Sequence, residues 1–381
     1  MPLLETAANQ MSRITNYRFM AFAIGVCVLA TSSGCGGSKS ATPPTEPALV
    51  VLGIGSLPGD AASEALSVSN DGLVVVGTSK SVDGKSKAVR WTQLNGMTEL
   101  GFMEGGTASS ARAVSADGSV IVGSGNSQSS GSAVFRWTAA QGIVQLKALG
   151  DSTLCVAGGV SGKGDVVVGT CLVAGNSAFR WTETSGMVSL GQFGGGSNQT
   201  SNAQAISADA STIVGMGHPA LTGVVLWDIH SGPSTLGALP GDTSATATAV
   251  SRDGRVVVGF SIQPSQRARA FRWTRPGPMI DLGSISPGLT EIIASAVSGD
   301  GRVIVGWEKS AEVETAVIWD EFHGMRRLDQ LADLKQGQSF AWKLSRATGI
   351  ADDGRTIVGV GINPEGRTEG WIVTLPGAAT M

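Results

Sequence analysis

ARAVSADGSVIVG (Ala111–Gly123) and AVFRWTAAQGIVQL (Ala133–Leu146) are the stretches that decide the fold of this 381-residue chain. Nearly everything after residue 49 is another copy of them. Successive copies of the glycine that ends VIVG are 46, 46, 46, 44, 47 and 53 residues apart, at Gly77, Gly123, Gly169, Gly215, Gly259, Gly306 and Gly359. The tryptophan of RWT recurs with them, at Trp91, Trp137, Trp181, Trp227, Trp273, Trp319 and Trp371. Seven copies at this period indicate a repeat architecture.

Each copy encodes four short antiparallel strands and no helix. Ala111–Ser115 alternates small and apolar residues, as a half-buried strand does. In Ser115-Ala116-Asp117-Gly118, Ser suits the first position of a type I turn, and Gly at the fourth accepts a left-handed conformation. The run Val120–Val122 is apolar without alternation, which predicts a strand covered on both faces. The glycine after it predicts a bulge or the close approach of another backbone.

Seven four-stranded units predict an all-β fold, a seven-bladed β-propeller over residues 50–377 built from repeats of about 46 residues. A linear β-solenoid is the alternative, but its repeats are usually shorter and its ends need atypical polar caps. The end copies here resemble the middle ones, which favours a closed ring. The last copy has no fourth strand after Trp371, so Val50–Leu57 is predicted to pair with Trp371–Leu375 and complete the seventh blade.

The repeats resemble the HAF repeat of bacterial extracellular proteins over roughly residues 50 to 375. The resemblance rests on the recurring A-V-S-x-D-G, V-V-G, A-F-R-W and G-M-x-x-L-G elements. This chain has no His before the Ala of Ser177-Ala178-Phe179 or Arg269-Ala270-Phe271, which departs from the motif that names the repeat. The resemblance implies an exported repeat protein and implies no particular activity.

Residues 1–35 are interpreted as a signal peptide, with its start at Met1 or Met11. Ser32-Ser33-Gly34-Cys35 is similar to a bacterial lipoprotein box, in which Cys35 becomes the lipidated N-terminus; ordinary signal cleavage nearby, leaving Cys35 a free thiol, is the alternative. Residues 36–49 then form a flexible linker. Gly36 lacks the Asp associated with inner-membrane retention, so an outer-membrane or cell-surface lipoprotein is expected, held to the membrane by its lipid.

The composition offers no electrostatic footprint for nucleic acid, since charged residues are 15% of the chain and the formal net charge is −3. We expect a monomer without a cofactor. Cys155 and Cys171 flank the hairpin turn of the third copy symmetrically, which predicts a disulfide in an oxidising compartment; two buried thiols are the alternative.

No catalytic motif is present, and the three His residues have no zinc-site spacing. The sequence therefore favours a non-enzymatic binding or scaffolding module for a protein or glycan. The alternatives are a carbohydrate-active enzyme with its site at the mouth of the channel, and a purely structural surface protein. Trp307 and Trp342 fall outside the repeated set, and Trp342 follows an insertion at residues 329–341, so these two are the candidate ligand-binding residues.

Overall fold

The computed structural model describes residues 49–173, 176–191, 200–218, 223–285, 291–310, 313–331 and 341–375. All of them belong to one compact unit, residues 46–381. Within these residues, no helix has both the length and the apolar character needed to cross a membrane. The signal peptide, Cys35 and residues 36–48 of the linker lie outside the described residues.

The described chain forms seven four-stranded antiparallel units, here called blades 1 to 7; one parallel pair, Ala268 with Glu291, joins blades 5 and 6 into a single eight-stranded sheet. The strands up to the end of blade 3 are β1 (Val50–Gly53), β2 (Asp60–Val68), β3 (Val74–Ser81), β4 (Ser86–Thr92), β5 (Gly96–Gly101), β6 (Ser109–Val114), β7 (Val120–Ser127), β8 (Ser130–Thr138), β9 (Gly142–Gln145), β10 (Cys155–Val160), β11 (Val167–Leu172), β12 (Asn176–Thr182) and β13 (Gly186–Ser189). Those of blades 4 to 7 are β14 (Thr200–Ile206), β15 (Thr212–His218), β16 (Gly223–Asp228), β17 (Gly232–Gly237), β18 (Ser244–Val250), β19 (Val256–Ile262), β20 (Ala268–Thr274), β21 (Met279–Asp281), β22 (Glu291–Val297), β23 (Val303–Ser310), β24 (Val313–Asp320), β25 (Gly324–Arg327), β26 (Lys343–Ile350), β27 (Thr356–Ile362) and β28 (Thr368–Thr374). A short 3-10 helix, Leu328–Leu331, follows β25. The expectation of an all-β, seven-bladed propeller is confirmed.

The Ser-x-Asp-Gly segments are the turns between the first and second strands of a blade. In blade 1 the amide of Val74 donates to Ser69 Oγ over 3.0 Å, and the amide of Leu73 donates to Asp71 Oδ1 over 3.0 Å. Gly72 takes a φ of 75°. In blade 4 the same position is occupied by Ala210, which takes a φ of 61° and is one of two non-glycine residues with a positive φ in the described chain.

The repeated glycines lie opposite a β-bulge in the first strand of each blade. In blade 2 the pairing of β6 with β7 shifts between Ala111 and Ala113. A Cβ on Gly123 would lie 2.0 Å from the carbonyl oxygen of Ser110. Each of the seven equivalent glycines would meet a backbone oxygen in this way, at 1.8–2.1 Å. The predicted close backbone approach is therefore confirmed, and it explains why no side chain is tolerated there.

The hydrophobic core lies between neighbouring blades. One buried cluster joins Val74 and Val76 of blade 1 to Ala111, Ile121 and Phe135 of blade 2. The apolar run of the second strand is covered on both faces, as predicted. In blade 1, Val74 and Val76 pack against blade 2, whereas Val75 packs with Val358 and Ile372 of blade 7. Stability thus depends on contacts repeated around the ring.

The N-terminal strand completes blade 7, as predicted. Strand β1 pairs antiparallel with β28, with Val51 opposite Val373 and Gly53 opposite Trp371. The amide of Ile54 extends the ladder by donating to the carbonyl of Gly370 over 2.9 Å. The paired strand ends at Gly53 rather than continuing to Leu57. Both ends of the propeller therefore meet in one sheet.

The seventh tryptophan is not equivalent to the other six, which corrects the alignment made from the sequence. In blade 2, Gly123 pairs with Phe135, and Ile121 pairs with Trp137. In blade 7, Gly359 pairs with Trp371, so Trp371 occupies the phenylalanine position and is fully buried. Here the glycine opposite the bulge, rather than the tryptophan, defines the register of the copy.

The predicted disulfide between Cys155 and Cys171 is present, with the two residues directly opposite each other in β10 and β11. The symmetric register expected from the turn does not extend to Val160, which pairs with Val167 rather than Val166. The cause is the bulge between Ala157 and Gly159, which shifts the pairing by one residue.

Candidate functional site

The first strand of every blade lines a central channel. Within it lies a cavity of about 210 Å³ bounded by residues from all seven blades. Each first strand runs toward the turn that joins it to the second strand, so one end of the channel is surrounded by these turns; we call it the turn face. The opposite end, where the chain crosses from blade to blade, is the loop face.

The residue at the centre of each bulge belongs to the wall of this cavity. These residues, here called the bulge ring, are Leu66, Arg112, Gly158, Gln204, Thr248, Ser295 and Thr348. Two of them tie neighbouring blades together. The hydroxyl of Thr248 donates to the carbonyl of Ala294 over 2.5 Å, and that of Thr348 donates to the carbonyl of Ala65 over 2.7 Å. Some residues of the bulge ring therefore join neighbouring blades, and the side chains at the other positions differ in charge and polarity.

Arg112 brings a positive charge into the channel. Its side chain is reached by water inside the channel, yet protein surrounds it, and desolvation by burial lowers the pKa of its guanidinium. The guanidinium keeps its charge at neutral pH, because arginine loses its proton only far above that range. No residue that the structure describes accepts a hydrogen bond from this guanidinium or forms an ion pair with it.

The turns draw together at the turn face through backbone hydrogen bonds. The amide of Asn70 donates to Ala116, Ala116 to Gly162, Gly162 to Ala208, Ala208 to Arg252 and Asp352 to Asn70, over 3.0–3.2 Å. Asp352 also binds side chains here, accepting from Arg252 over 2.6 Å and from Asn70 over 2.7 Å. A Cβ on Gly299 would lie 2.6 Å from this carboxylate, so glycine leaves room for the pair. The cation at the turn face is therefore neutralised, unlike Arg112.

A second and larger cavity lies on the loop face between blades 6 and 7. It encloses about 510 Å³ and is lined by the half-buried Trp342 together with Glu314, Arg327, Asp329 and Lys343. Arg327 holds Asp329 with two hydrogen bonds, of 3.0 Å from Nε and 2.7 Å from a terminal nitrogen. The cavity thus combines an aromatic ring with fixed charges of both signs.

Trp307 contacts Arg346, whose ion-pair partner Glu314 lines this cavity. The guanidinium of Arg346 lies 4.8 Å from the centre of the Trp307 ring and donates from Nε to Glu314 over 2.6 Å. The hydrogen bond from Arg346 lowers the pKa of Glu314, and the same bond raises the pKa of Arg346. Both tryptophans chosen from the sequence therefore lie at the junction of blades 6 and 7, linked through Glu314.

The repeated Arg of RWT is structural. Arg136 donates from Nε to the carbonyl of Gly164 in the next blade over 3.3 Å. Arg272 donates to the carbonyl of Gly301 over 3.4 Å and lies 5.9 Å from the Trp319 ring, again in the next blade. These arginines join blades rather than forming a ring of binding cations.

Arg112 was not predicted from the sequence. It occupies the second position of the A-x-A-V-S element. That position varies from copy to copy, whereas the residues on either side of it hardly change.

The chain was compared with known proteins at the level of family, sequence and structure. No protein-family model matches it, and no curated protein matches it in sequence. Its fold is similar to that of an oligogalacturonate lyase in complex with manganese, with a TM-score of 0.56 and 14% identity over 87% of this chain and 94% of that one. An oligogalacturonate lyase from Vibrio parahaemolyticus gives a TM-score of 0.58 and 11% identity over 86% and 93%. The propeller domain of the trilobed protease from Pyrococcus furiosus gives 0.55 and 11% over 84% and 99%.

These similarities establish the fold, and they contradict the expectation of a non-enzymatic binding or scaffolding module. Two of the similar structures are carbohydrate-processing enzymes that share the fold over nearly their whole length. One of them holds manganese. In the described part of this chain, no group of three or more His, Cys, Asp or Glu side chains could hold a metal ion, so no chemistry is assigned to a metal here.

Proposed function

We propose that this propeller is a carbohydrate-active enzyme that cleaves an acidic oligosaccharide on its loop face. The observation that carries the proposal is the cavity between blades 6 and 7, where the half-buried Trp342 lies among charged side chains. Its volume of about 510 Å³ falls in the usual range for ligand sites. An aromatic ring offers an apolar surface to the C–H face of a sugar ring, while charged groups fix the orientation of hydroxyls and carboxylates.

The charges favour elimination over hydrolysis as the reaction. Hydrolysis by a carboxyl pair needs one carboxyl to stay protonated as the general acid. Glu314 is held by Arg346, which lowers its pKa, and Asp329 is held by Arg327. Glu314 is therefore suited to remain ionised rather than to act as the general acid. In elimination, a cation neutralises the uronate carboxylate, and a base removes the proton beside it. The electron pair of that C–H bond forms the C=C bond as the glycosidic C–O bond breaks, and the leaving oxygen takes up a proton.

The reaction can be tested with the full-length protein purified in detergent and a panel of oligouronides and neutral oligosaccharides. Elimination produces an unsaturated uronate that absorbs in the ultraviolet, whereas hydrolysis produces new reducing ends without that absorbance. We expect absorbance to rise with oligouronides only. Trp342→Ala should raise KM at least tenfold, because it removes the stacking surface. Phe322→Ala is the matched control, since Phe322 is 93% exposed in a turn on the opposite face of blade 6.

No ultraviolet product with any oligouronide would contradict the lyase. New reducing ends without absorbance would instead indicate hydrolysis. Equal effects of the two aromatic substitutions would remove the cavity between blades 6 and 7 from the proposal.

We also propose that Cys35 carries a lipid that attaches the propeller to the envelope, on the basis of the Ser32–Cys35 sequence and the linker that follows. The protein should then partition into the detergent phase, and Cys35→Ala should move it to the aqueous phase. Unchanged partitioning of that variant would exclude the lipid anchor.

A further inference from the structure

We infer that the central channel contains an anion-binding site centred on Arg112, which takes a carboxylate entering from the loop face. Assigning this carboxylate to a uronate rests on the proposed function. The binding of an anion by Arg112 rests only on the channel.

The wall of the channel cavity carries a positive charge, that of Arg112. Among the described residues that line the 210 Å³ cavity, Arg112 is the only ionisable one. The contrast with Arg252 is informative, because that arginine lies at the turn face of the same channel and is paired with Asp352 over 2.6 Å. A cation that lies in a channel without a protein counter-ion focuses a positive potential there, which favours the binding of an anion.

Neutral hydrogen-bond donors line the same cavity as Arg112. Gln204 and Ser295 belong to the bulge ring and line the same cavity. Together with Arg112 they come from blades 2, 4 and 6, so they approach the channel from three directions. Their side chains make no hydrogen bond to any residue that the structure describes, whereas the Thr hydroxyls of the ring are occupied by backbone carbonyls. An arginine with neutral amide and hydroxyl donors is a suitable set for a carboxylate.

The two faces of the channel differ in what surrounds them. At the turn face the channel leads into a cavity of about 130 Å³ lined by Asn70 and the Arg252–Asp352 ion pair, so a carboxylate already lies at that end. The loop face is the end at which the proposed oligosaccharide site lies.

The test is calorimetric titration of the full-length protein with galacturonate, glucose and inorganic phosphate. Galacturonate should bind and glucose should not, since glucose lacks the carboxylate. Arg112→Gln should weaken galacturonate binding about tenfold to a hundredfold, the loss expected for one charged hydrogen-bonding group. Gln is the residue that blade 4 carries at the equivalent position, so the fold accepts it. Arg302→Gln is the control for net charge, because the Arg302 side chain is 84% exposed.

Two further variants keep the test decisive if Arg112→Gln is poorly folded. Arg112→Lys should retain part of the affinity, and Gln204→Arg should strengthen binding, because it adds a second cation to the same ring. Galacturonate affinity that is the same in the wild type, Arg112→Gln and Gln204→Arg would overturn the site, as would equal binding of glucose. Phosphate binding without galacturonate binding would overturn the carboxylate assignment. Galacturonate binding that depends on Arg112, in a protein that cleaves no oligouronide, would support the site while refuting the proposed enzyme.

Discussion

Removing the contacts of the N-terminal strand should destabilise the whole propeller, because that strand joins blade 7 to blade 1. Ile54 is 5% exposed and packs with Ala65, Val75 and Trp91 of blade 1 as well as Ile372 of blade 7. A buried Ile replaced by Ala costs about 2–5 kcal/mol, depending on how far the cavity collapses. Collapse is restricted here, because the backbone of β28 and β2 forms the wall of the site.

The larger perturbation is deletion of residues 49–57. Three buried side chains are then lost, those of Leu49, Ile54 and Leu57, which are 5–8% exposed. At about 1.5–3 kcal/mol each, their burial contributes roughly 5–9 kcal/mol before any hydrogen bond of β1 is counted. Since a domain is stable by only about 5–15 kcal/mol, the deletion should leave the propeller largely unfolded.

The assay is urea denaturation followed by tryptophan fluorescence. Val50→Ala is the matched control within the same strand, because Val50 is 69% exposed and its loss should change the free energy of unfolding by about 0.5 kcal/mol or less. Trimming residues 36–47 should also leave the midpoint unchanged. Equal effects of Ile54→Ala and Val50→Ala, or an unchanged midpoint after deleting residues 49–57, would refute closure by this strand as a source of stability.

Three other perturbations test the fold at separate places. Ala210→Gly should raise the free energy of unfolding by roughly 0.5–1 kcal/mol, since glycine accepts the φ of 61° without strain; a loss of stability in urea denaturation would contradict this. Reducing the Cys155–Cys171 bond, which closes a loop with a sequence separation of 16, should cost about 3 kcal/mol on the chain-entropy estimate; the same urea midpoint with and without reductant would exclude a stabilising role. The hydrogen bond from Arg275 lowers the pKa of Asp228 below its usual range, so this carboxylate stabilises the fold above about pH 4, its ordinary pKa, and loses that contribution as the pH falls. Arg275→Gln should therefore make the decline in stability below about pH 4 shallower, and an unchanged slope would argue against the pair.

The fold could be predicted from the sequence because each blade repeats the same physical requirements. The turn after the first strand, the apolar second strand and the glycine opposite the bulge all constrain the backbone directly. The second strand and the glycine recur in all seven copies, and the turn keeps the sequence Ser-x-Asp-Gly in four of them. Trp371 shows where this reasoning fails. It is a tryptophan like the six others of the repeated set, but its pairing with Gly359 places it in the phenylalanine position. Residue identity was a weaker guide than the backbone constraint, because a large apolar side chain fits more than one position of the blade core.

The candidate site could be predicted only in part. Trp307 and Trp342 were selected because they depart from the repeat, and the structure brings both to the junction of blades 6 and 7. Arg112 could not be selected in that way, because it lies inside a repeated element. Its importance depends on the bulge, which makes its position part of the channel wall, and on the absence of a counter-ion among the described residues. Neither property is visible in a single copy of the sequence.

The bulge explains how a nearly uniform scaffold can carry a specific site. The residues on either side of it, such as Ala111 and Val114, are buried between blades, so every copy needs small or apolar residues there. The bulged residue itself borders the cavity and is free to vary. Thr248 and Thr348 use this position to bind the next blade, whereas Arg112 lines the cavity without a hydrogen bond to a described residue. Replacing Thr248 should therefore affect stability, and replacing Arg112 should affect the binding of ligands. The two roles can evolve separately, since the bulged residues that bind the next blade lie in blades 5 and 7, whereas Arg112 lies in blade 2.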